Sequence, residues 1–116
     1  MVLYILTEWK KPEARFKAYF DTMPKTYDEF PVMFDEKLMK MVEGTNLYKK
    51  AEQRKETFNK RYEFVKALDP EFDFTDKEFF AVCILVQSRV FGITVDEKRT
   101  TALVPVADML NHNAPC

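Results

Sequence analysis

The polar side chains that could do chemistry crowd near the end of the chain. Four of them follow an apolar stretch, residues 103–106, that is expected to be a strand; they are Asp108, Asn111, His112 and Asn113. Such a cluster at a strand end can hold a ligand through side chains and free backbone groups. Asp108 and Asn111 could equally cap a turn by bonding to nearby backbone. Because no serine or cysteine nucleophile with an acid accompanies His112, spacing predicts a pocket-like strand end and no particular reaction.

Arg89 is the second candidate. It follows a run of apolar residues, 79–86, and precedes another short one, 90–93, so its guanidinium is expected close to the interior. A charge there needs a partner. The partner could be the carboxylate of a ligand, for which a guanidinium is well shaped, or an internal acid such as Asp108. The position of Arg89 in the sequence leaves both interpretations open.

Helices are expected to position these residues. Apolar side chains at i, i+3, i+4 and i+7 mark one helix, and N-capping residues or a capping box mark three others. Val2–Trp9 could be a helix or a buried strand, and a helix is favoured. The other predicted helices are one that carries Phe16, Tyr19, Phe20 and Met23 and ends at Pro24; a short one after Asp35 that stops at Gly44; one from Thr45 or Asn46 to Leu68; and one that Thr75 and Glu78 open and that ends at Arg89.

The longest predicted helix has its own pattern. Its apolar face reads Leu47, Ala51, Phe58, Tyr62, Val65 and Leu68. Basic residues lie between these, interleaved with Glu52, Glu56 and Glu63. They could form a basic binding face, but a solvated side laced with ion pairs is the favoured interpretation. Beyond the helices, residues 90–93 and 103–106 are expected to pair as strands around a polar loop, residues 94–101.

Composition limits the classes of protein to consider. The chain has 116 residues, 47% of them hydrophobic, and a net charge of −1, which predicts one packed domain or part of one. No global positive field would attract nucleic acid or an anionic membrane, and no apolar run is long enough for a signal peptide or a membrane span. Cys83 is expected to be a buried thiol. With Cys116 it forms neither a disulfide framework nor a zinc motif, so a reducing compartment is expected.

Two segments resemble a known family. Residues 88–91 (SRVF) and 102–115 (ALVPVADMLNHNAP) are similar to the signature of SET-domain protein methyltransferases of the Rubisco large-subunit methyltransferase type. That group includes the actin-histidine methyltransferases, and its signature is an SR-x-F segment, a loop, and a strand that reads roughly L-x-P-x-x-D-x-x-N-H. Residues 15–25 (RFKAYFDTMPK) and 43–56 (EGTNLYKKAEQRKE) resemble the family in style, so the likeness covers essentially the whole chain.

The resemblance implies a fold and a set of roles. Residues 1–87 would be the helical insertion of a SET domain, and residues 88–116 the first part of the C-terminal half of its core. The fold would be mainly α with a small β-hairpin, and incomplete. The methyl donor would be S-adenosylmethionine, bound by Asn111, His112, Asp108 and Arg89. Arg89 and Asp108 would also contact the substrate, which would be a protein, and no metal is required.

The resemblance also implies what this sequence would lack. The family's glycine-containing cofactor loop would precede Met1 and its catalytic tyrosine would follow Cys116, so no catalytic residue is expected in this chain. The sequence is expected to be a fragment of a protein-lysine or protein-histidine N-methyltransferase, inactive alone. The alternative is a non-catalytic helical protein-interaction module derived from a SET-domain protein. Self-association through the incomplete sheet is expected. The expected location of the protein is the cytoplasm or the nucleus, with an organelle as an open alternative.

Overall fold

Helices α1 to α5 lead into a single hairpin in the structure, a computed structural model that describes residues 1–69 and 71–110. The elements are α1 (Val2–Trp9), α2 (Lys17–Asp21), a 3-10 turn (Pro31–Met33), α3 (Glu36–Met41), α4 (Asn46–Leu68), α5 (Asp76–Arg89), β1 (Val90–Val95), β2 (Lys98–Leu103) and a second 3-10 turn (Ala107–Met109). The predicted fold class, mainly α with a small β-hairpin, is confirmed.

Three helices begin at the capping residues that the sequence predicts. Asp35 accepts a hydrogen bond from the Leu38 amide at 2.8 Å, and Thr45 accepts one from the Tyr48 amide at 3.2 Å. Thr75 and Glu78 form the reciprocal capping box at the start of α5. Each of these side chains satisfies an amide that the first turn of a helix leaves unpaired, and so fixes where the helix starts.

Helix α5 is the centre of the hydrophobic core. Every residue from 79 to 85 is buried, as the uniformly apolar run predicts. Ile5 and Leu6 of α1 pack in the same core, and the ring of Phe58 from α4 meets that of Phe80 edge-on, with centroids 5.4 Å apart. Burial raises the pKa of the Cys83 thiol to about 11, so the prediction of a buried thiol is confirmed. None of the helices in residues 1–69 and 71–110 is long and apolar enough to cross a membrane.

The apolar face predicted for α4 is partly wrong. Ala51 and Phe58 are buried, but Leu47 and Leu68 are 44% and 69% exposed. The helix has 23 residues and is about 35 Å long at 1.5 Å per residue. Its neighbours cover only its middle, so the apolar residues of its first and last turns stay outside the core.

The hairpin differs from the prediction in register and loop length. The strands pair Val90 with Leu103 and Val95 with Lys98, so the loop shrinks to Asp96 and Glu97. The predicted loop, residues 94–101, therefore supplies most of β2, and the predicted return strand, residues 103–106, is wrong beyond Leu103. Asp96 and Glu97 both have positive φ, 47° and 61°, which matches the tight turn that suits the twist of a hairpin.

Candidate functional site

The 3-10 turn after β2 carries Asp108 into the protein. Val106 has φ 73° and ψ −49°, a conformation that a β-branched residue rarely adopts. The Asp108 amide donates to the Val104 carbonyl at 3.1 Å. This reversal directs the Asp108 side chain, which is 0% exposed, toward α2 and the end of α5. A sharp and strained turn of this kind is common where a side chain must be held in a fixed place.

Three elements meet at the Asp108 carboxylate. The Tyr19 hydroxyl of α2 donates to Asp108 Oδ2 at 2.5 Å, and Arg89 Nη1, from the last residue of α5, lies 3.2 Å from the same oxygen. The Tyr19 contact is short, as expected for a hydrogen bond to an ionised carboxylate, whereas the Arg89 contact is at the long end of the hydrogen-bond range. Of the two partners considered for Arg89, a ligand carboxylate or an internal acid, the structure shows the internal acid: Arg89 forms an ion pair with Asp108.

The cluster keeps unused hydrogen-bonding capacity. Within the described residues, Asp108 Oδ1 and the hydroxyl of Tyr27 are buried and have no hydrogen-bond partner. The Arg89 side chain is 22% exposed, and a guanidinium has five N–H donors. Buried polar atoms usually find a partner, so these three groups could bind a polar ligand at the end of α5.

Both tyrosines of the cluster are held protonated. Burial raises the pKa of Tyr19 well above its ordinary value, and the hydrogen bond to Asp108 raises it further. Burial also raises the pKa of Tyr27, against the opposing effect of the Arg89 charge. A phenolate next to the Asp108 carboxylate would be repelled by it. Tyr19 therefore acts here as a hydrogen-bond donor that orients the carboxylate.

The structure brings together two of the four predicted site residues, Arg89 and Asp108. The other two, Asn111 and His112, lie outside the described residues. The roles of Tyr19 and Tyr27 in this cluster were not predicted from the sequence. A signal for Tyr19 was present, because a tyrosine on the apolar face of a short helix buries its ring and must place its hydroxyl against a partner. Nothing in the sequence connects Tyr27 with Arg89.

Comparison with known proteins gives a consistent result. No protein-family model matches the chain. The chain is 28% identical over 122 aligned residues to the chloroplastic ribulose-1,5-bisphosphate carboxylase/oxygenase large subunit N-methyltransferase of Nicotiana tabacum, an alignment that covers 98% of this chain and 24% of that protein. It superposes on the crystal structure of the SET domain of LSMT bound to lysine and AdoHcy with a TM-score of 0.78 and 24% identity, over 97% of this chain and 26% of that one.

The chain has the fold of part of a SET domain. The resemblance to SET-domain protein methyltransferases of the Rubisco large-subunit type, stated from the SRVF and Asn-His segments, is therefore confirmed. The chain spans about a quarter of the length of each of these two proteins.

Proposed function

We propose that this chain is part of an S-adenosylmethionine-dependent protein N-methyltransferase that modifies lysine, with histidine as the alternative target. The observation that carries the proposal is the Tyr19–Asp108–Arg89 cluster, because it joins the two segments that resemble the family signature: Arg89 belongs to the first and Asp108 to the second. The tobacco relative is named as an N-methyltransferase of a protein subunit. A SET-domain crystal structure with lysine and AdoHcy bound supports the same class of reaction.

The donor groups of the cluster suit this cofactor and a peptide substrate. Asp108 offers a buried carboxylate oxygen to an N–H donor, and Arg89 offers N–H groups to a carboxylate or a carbonyl. S-adenosylmethionine supplies a sulfonium methyl group and carries both an amine and a carboxylate. We assign Arg89 and Asp108 to cofactor and substrate contacts, together with Asn111 and His112, which lie outside the described residues.

The contribution of these residues to methyl transfer would be positioning. An ion pair that is also hydrogen-bonded by Tyr19 gives Asp108 and Arg89 one fixed arrangement. Fixed donors and acceptors lower a barrier by holding reactants in line and by presenting charges that need not reorganise. Arg89 and Asp108 would orient polar groups of the bound molecules, while the partly buried Tyr19 ring would shield the carboxylate from water. None of these side chains needs to accept a proton in this role.

The finer assignments follow the same proposal. Residues 1–87 correspond to the helical insertion and residues 88–116 to the start of the C-terminal half of the SET core. Helix α5 continues through Ser88 to Arg89, so the SR-x-F segment begins in the last turn of that helix and enters β1 at Val90. We further propose that the chain alone transfers no methyl group, because it corresponds to about a quarter of a complete relative. The tobacco relative is a chloroplastic protein. For this chain the proposed compartment is the cytoplasm or nucleus, with an organelle as the alternative.

A chimera tests the proposal. The 116 residues would replace the matching quarter of the tobacco methyltransferase, and transfer from labelled S-adenosylmethionine to the Rubisco large subunit would be measured. The chimera is expected to transfer label, and the isolated chain is not. Asp108→Asn in the chimera is expected to lower transfer about tenfold or more, since positioned polar groups are typically worth that much.

Asp96→Asn is the matched control, because it removes the same charge from the exposed hairpin turn. It should leave transfer unchanged. Calorimetry with S-adenosylmethionine on the chimera and on its Asn111→Ala variant reports binding separately from transfer. A chimera that melts cooperatively but neither binds the cofactor nor transfers label would contradict the proposal and favour a non-catalytic module.

A further inference from the structure

A groove with a cationic rim runs along helix α4, and no residue of the Asp108 cluster lines it. It has a volume of about 580 Å³ and lies between α4 and the segment that holds Phe30, Pro31 and Val32. Ala51 and Phe58, both buried, are part of its floor. We call it the α4 groove. Its apolar floor can accept an apolar side chain, and its openness to solvent can admit an extended segment of chain.

The charged residues that line the α4 groove are all basic. They are Lys50, Arg54 and Arg61, and neither aspartate nor glutamate lines it. Among the described residues, no carboxylate lies within 4.0 Å of these three cations. Arg54 and Arg61 follow Lys50 by four and eleven residues, so the three side chains lie near the same face of the helix. The α4 groove therefore presents an uncompensated stripe of positive charge.

The opposite side of α4 is different. A shallower depression there is lined by Glu52, Glu56 and Glu63 together with Lys55 and Lys60, and Lys60 pairs with Glu56 at 2.6 Å. Glu56–Lys60 is the one ion pair found within α4 among the described residues, so the prediction of a side laced with ion pairs is met by a single pair on this face and by none along the groove. Since the whole chain has a net charge of −1, the local excess of cations is not a consequence of composition.

We propose that the α4 groove is a docking site for an acidic peptide segment of a partner protein, with one apolar anchor residue. From Lys50 to Arg61 the helix rises about 16 Å, which is the length of about five residues of extended chain. Carboxylates spaced along such a segment would pair with the three cations, and the anchor would occupy the floor near Phe58. This proposal is independent of methyl transfer, since it uses no residue of the Asp108 cluster.

Nucleic acid fits the α4 groove less well than a peptide. Single-stranded nucleic acid binds by stacking bases on accessible aromatic rings, whereas Phe58 is only 1% exposed and Phe30 packs edge-on against Tyr27 with centroids 5.5 Å apart. Three cations would also neutralise few phosphates. The combination of an apolar floor and a short cationic rim favours an acidic peptide.

Fluorescence anisotropy on the purified chain, without cofactor, tests the proposal. The probe is a labelled peptide of about eight residues, glutamate-rich around one central leucine. It is expected to bind, and the affinity is expected to fall as salt rises. Lys50→Gln/Arg54→Gln should weaken binding at least about tenfold, because two of the three charge contacts are lost. Lys49→Gln/Lys55→Gln removes two charges from the same helix outside the groove and should change binding less than about twofold.

A photo-crosslinker at the central leucine of the probe gives a second measurement that does not depend on variants. Crosslinks to α4 or to the segment around Pro31 are expected. The proposal is overturned by any of four results: no binding of the acidic probe, equal loss in the two double variants, crosslinks elsewhere, or a single-stranded DNA of matched charge binding more tightly than the peptide. Because methyl transfer is not measured, failure here leaves the proposed function untouched, and failure of the chimera leaves the α4 groove untouched.

Discussion

The carboxylate of Asp108 is fully buried, and its Oδ2 atom is shared by the Tyr19 hydroxyl and the Arg89 guanidinium. Taking a carboxylate out of water costs several kcal/mol unless its partners replace the lost hydration. Here a cation and a phenol do so from two different helices. The stability of the protein and the geometry of the candidate site therefore depend on the same three side chains.

Removal of Arg89 is expected to be more damaging than removal of the whole pair. Arg89→Met would leave the Asp108 charge buried with Tyr19 as its remaining described partner, and we expect a loss of about 3 kcal/mol in the free energy of unfolding. Arg89→Met/Asp108→Leu should lose less, because a buried ion pair replaced by apolar groups is often nearly neutral. Urea denaturation of the two variants measures the difference. A double variant less stable than the single one would show that the Tyr19 hydrogen bond to Asp108 outweighs the cost of burying an unpaired charge.

Cys83 gives a pH-dependent prediction. Its folded pKa, about 11, is raised by burial above the ordinary value of 9.0. The folded state therefore favours the neutral thiol. The contribution of this preference to the free energy of unfolding is fully present below pH 9 and is lost as the pH rises from 9 toward 11.

The measurement is the difference between two proteins, because lysines and tyrosines also titrate in that range. The free energy of unfolding should fall more steeply between pH 9 and pH 11 for the Cys116→Ser protein than for Cys83→Ala/Cys116→Ser. Parallel curves would mean that the Cys83 thiol ionises equally in both states. The pH 7 offset between the curves reports only the packing lost with the sulfur atom.

At the scale of elements, the starts of α3, α4 and α5 were predictable, whereas the extent of α2, which ends at Asp21 and not at Pro24, and the register of the hairpin were not. Asp35, Thr45 and Thr75 cap their helices through local hydrogen bonds, which depend on residues within one turn of chain. The hairpin turn has Asp96 and Glu97 where Asn-Gly or Asp-Gly is the usual signal. Strand β2 is polar over Lys98, Arg99, Thr100 and Thr101. Its pairing with β1 depends on contacts across the hairpin, which a reading of local hydrophobicity does not reveal.

The same contrast holds for the candidate site. The positions of Arg89 and Asp108 were inferred from the family signature, but their mutual contact was only one of two interpretations. Tyr19 lies 89 residues from Asp108 along the chain. A hydrogen bond between residues so far apart is set by how α2 and the 3-10 turn after β2 come together in the tertiary structure, so the spacing of residues could not predict it.

The hairpin turn supplies the prediction at this scale. Glu97 has φ 61°, a conformation that costs a non-glycine residue free energy and glycine almost none. We expect Glu97→Gly to raise the free energy of unfolding by about 0.5 to 1 kcal/mol, the relief of strain exceeding the entropy lost on folding. Thermal denaturation measures the change. Lys98→Gly, one residue along and in β2, should lower stability by a similar amount, and a loss with both glycines would contradict the assigned turn.

At the scale of the whole molecule, the hairpin is a largely exposed part of the described chain. Phe91, Ile93 and Val95 alternate along β1 and so share one face of a two-stranded sheet. Phe91 is 41% exposed and Val95 is 51% exposed. Within the described residues this sheet has only β1 and β2, so both of its outer edges carry unpaired backbone groups. An apolar stripe beside open edges favours pairing with another chain.

We therefore expect the purified chain to self-associate through the hairpin. Light scattering coupled to size-exclusion chromatography should give a mass that rises with concentration. Phe91→Lys places a charge in the apolar stripe and should shift the protein toward the monomer. Thr94→Lys adds the same charge to the opposite face of the same strand and should shift it much less. A monomer at every concentration, or equal effects of the two lysines, would show that the apolar face of the hairpin does not drive association, and would place the contact, if any, on another surface such as the exposed Phe64 and Leu68 of α4.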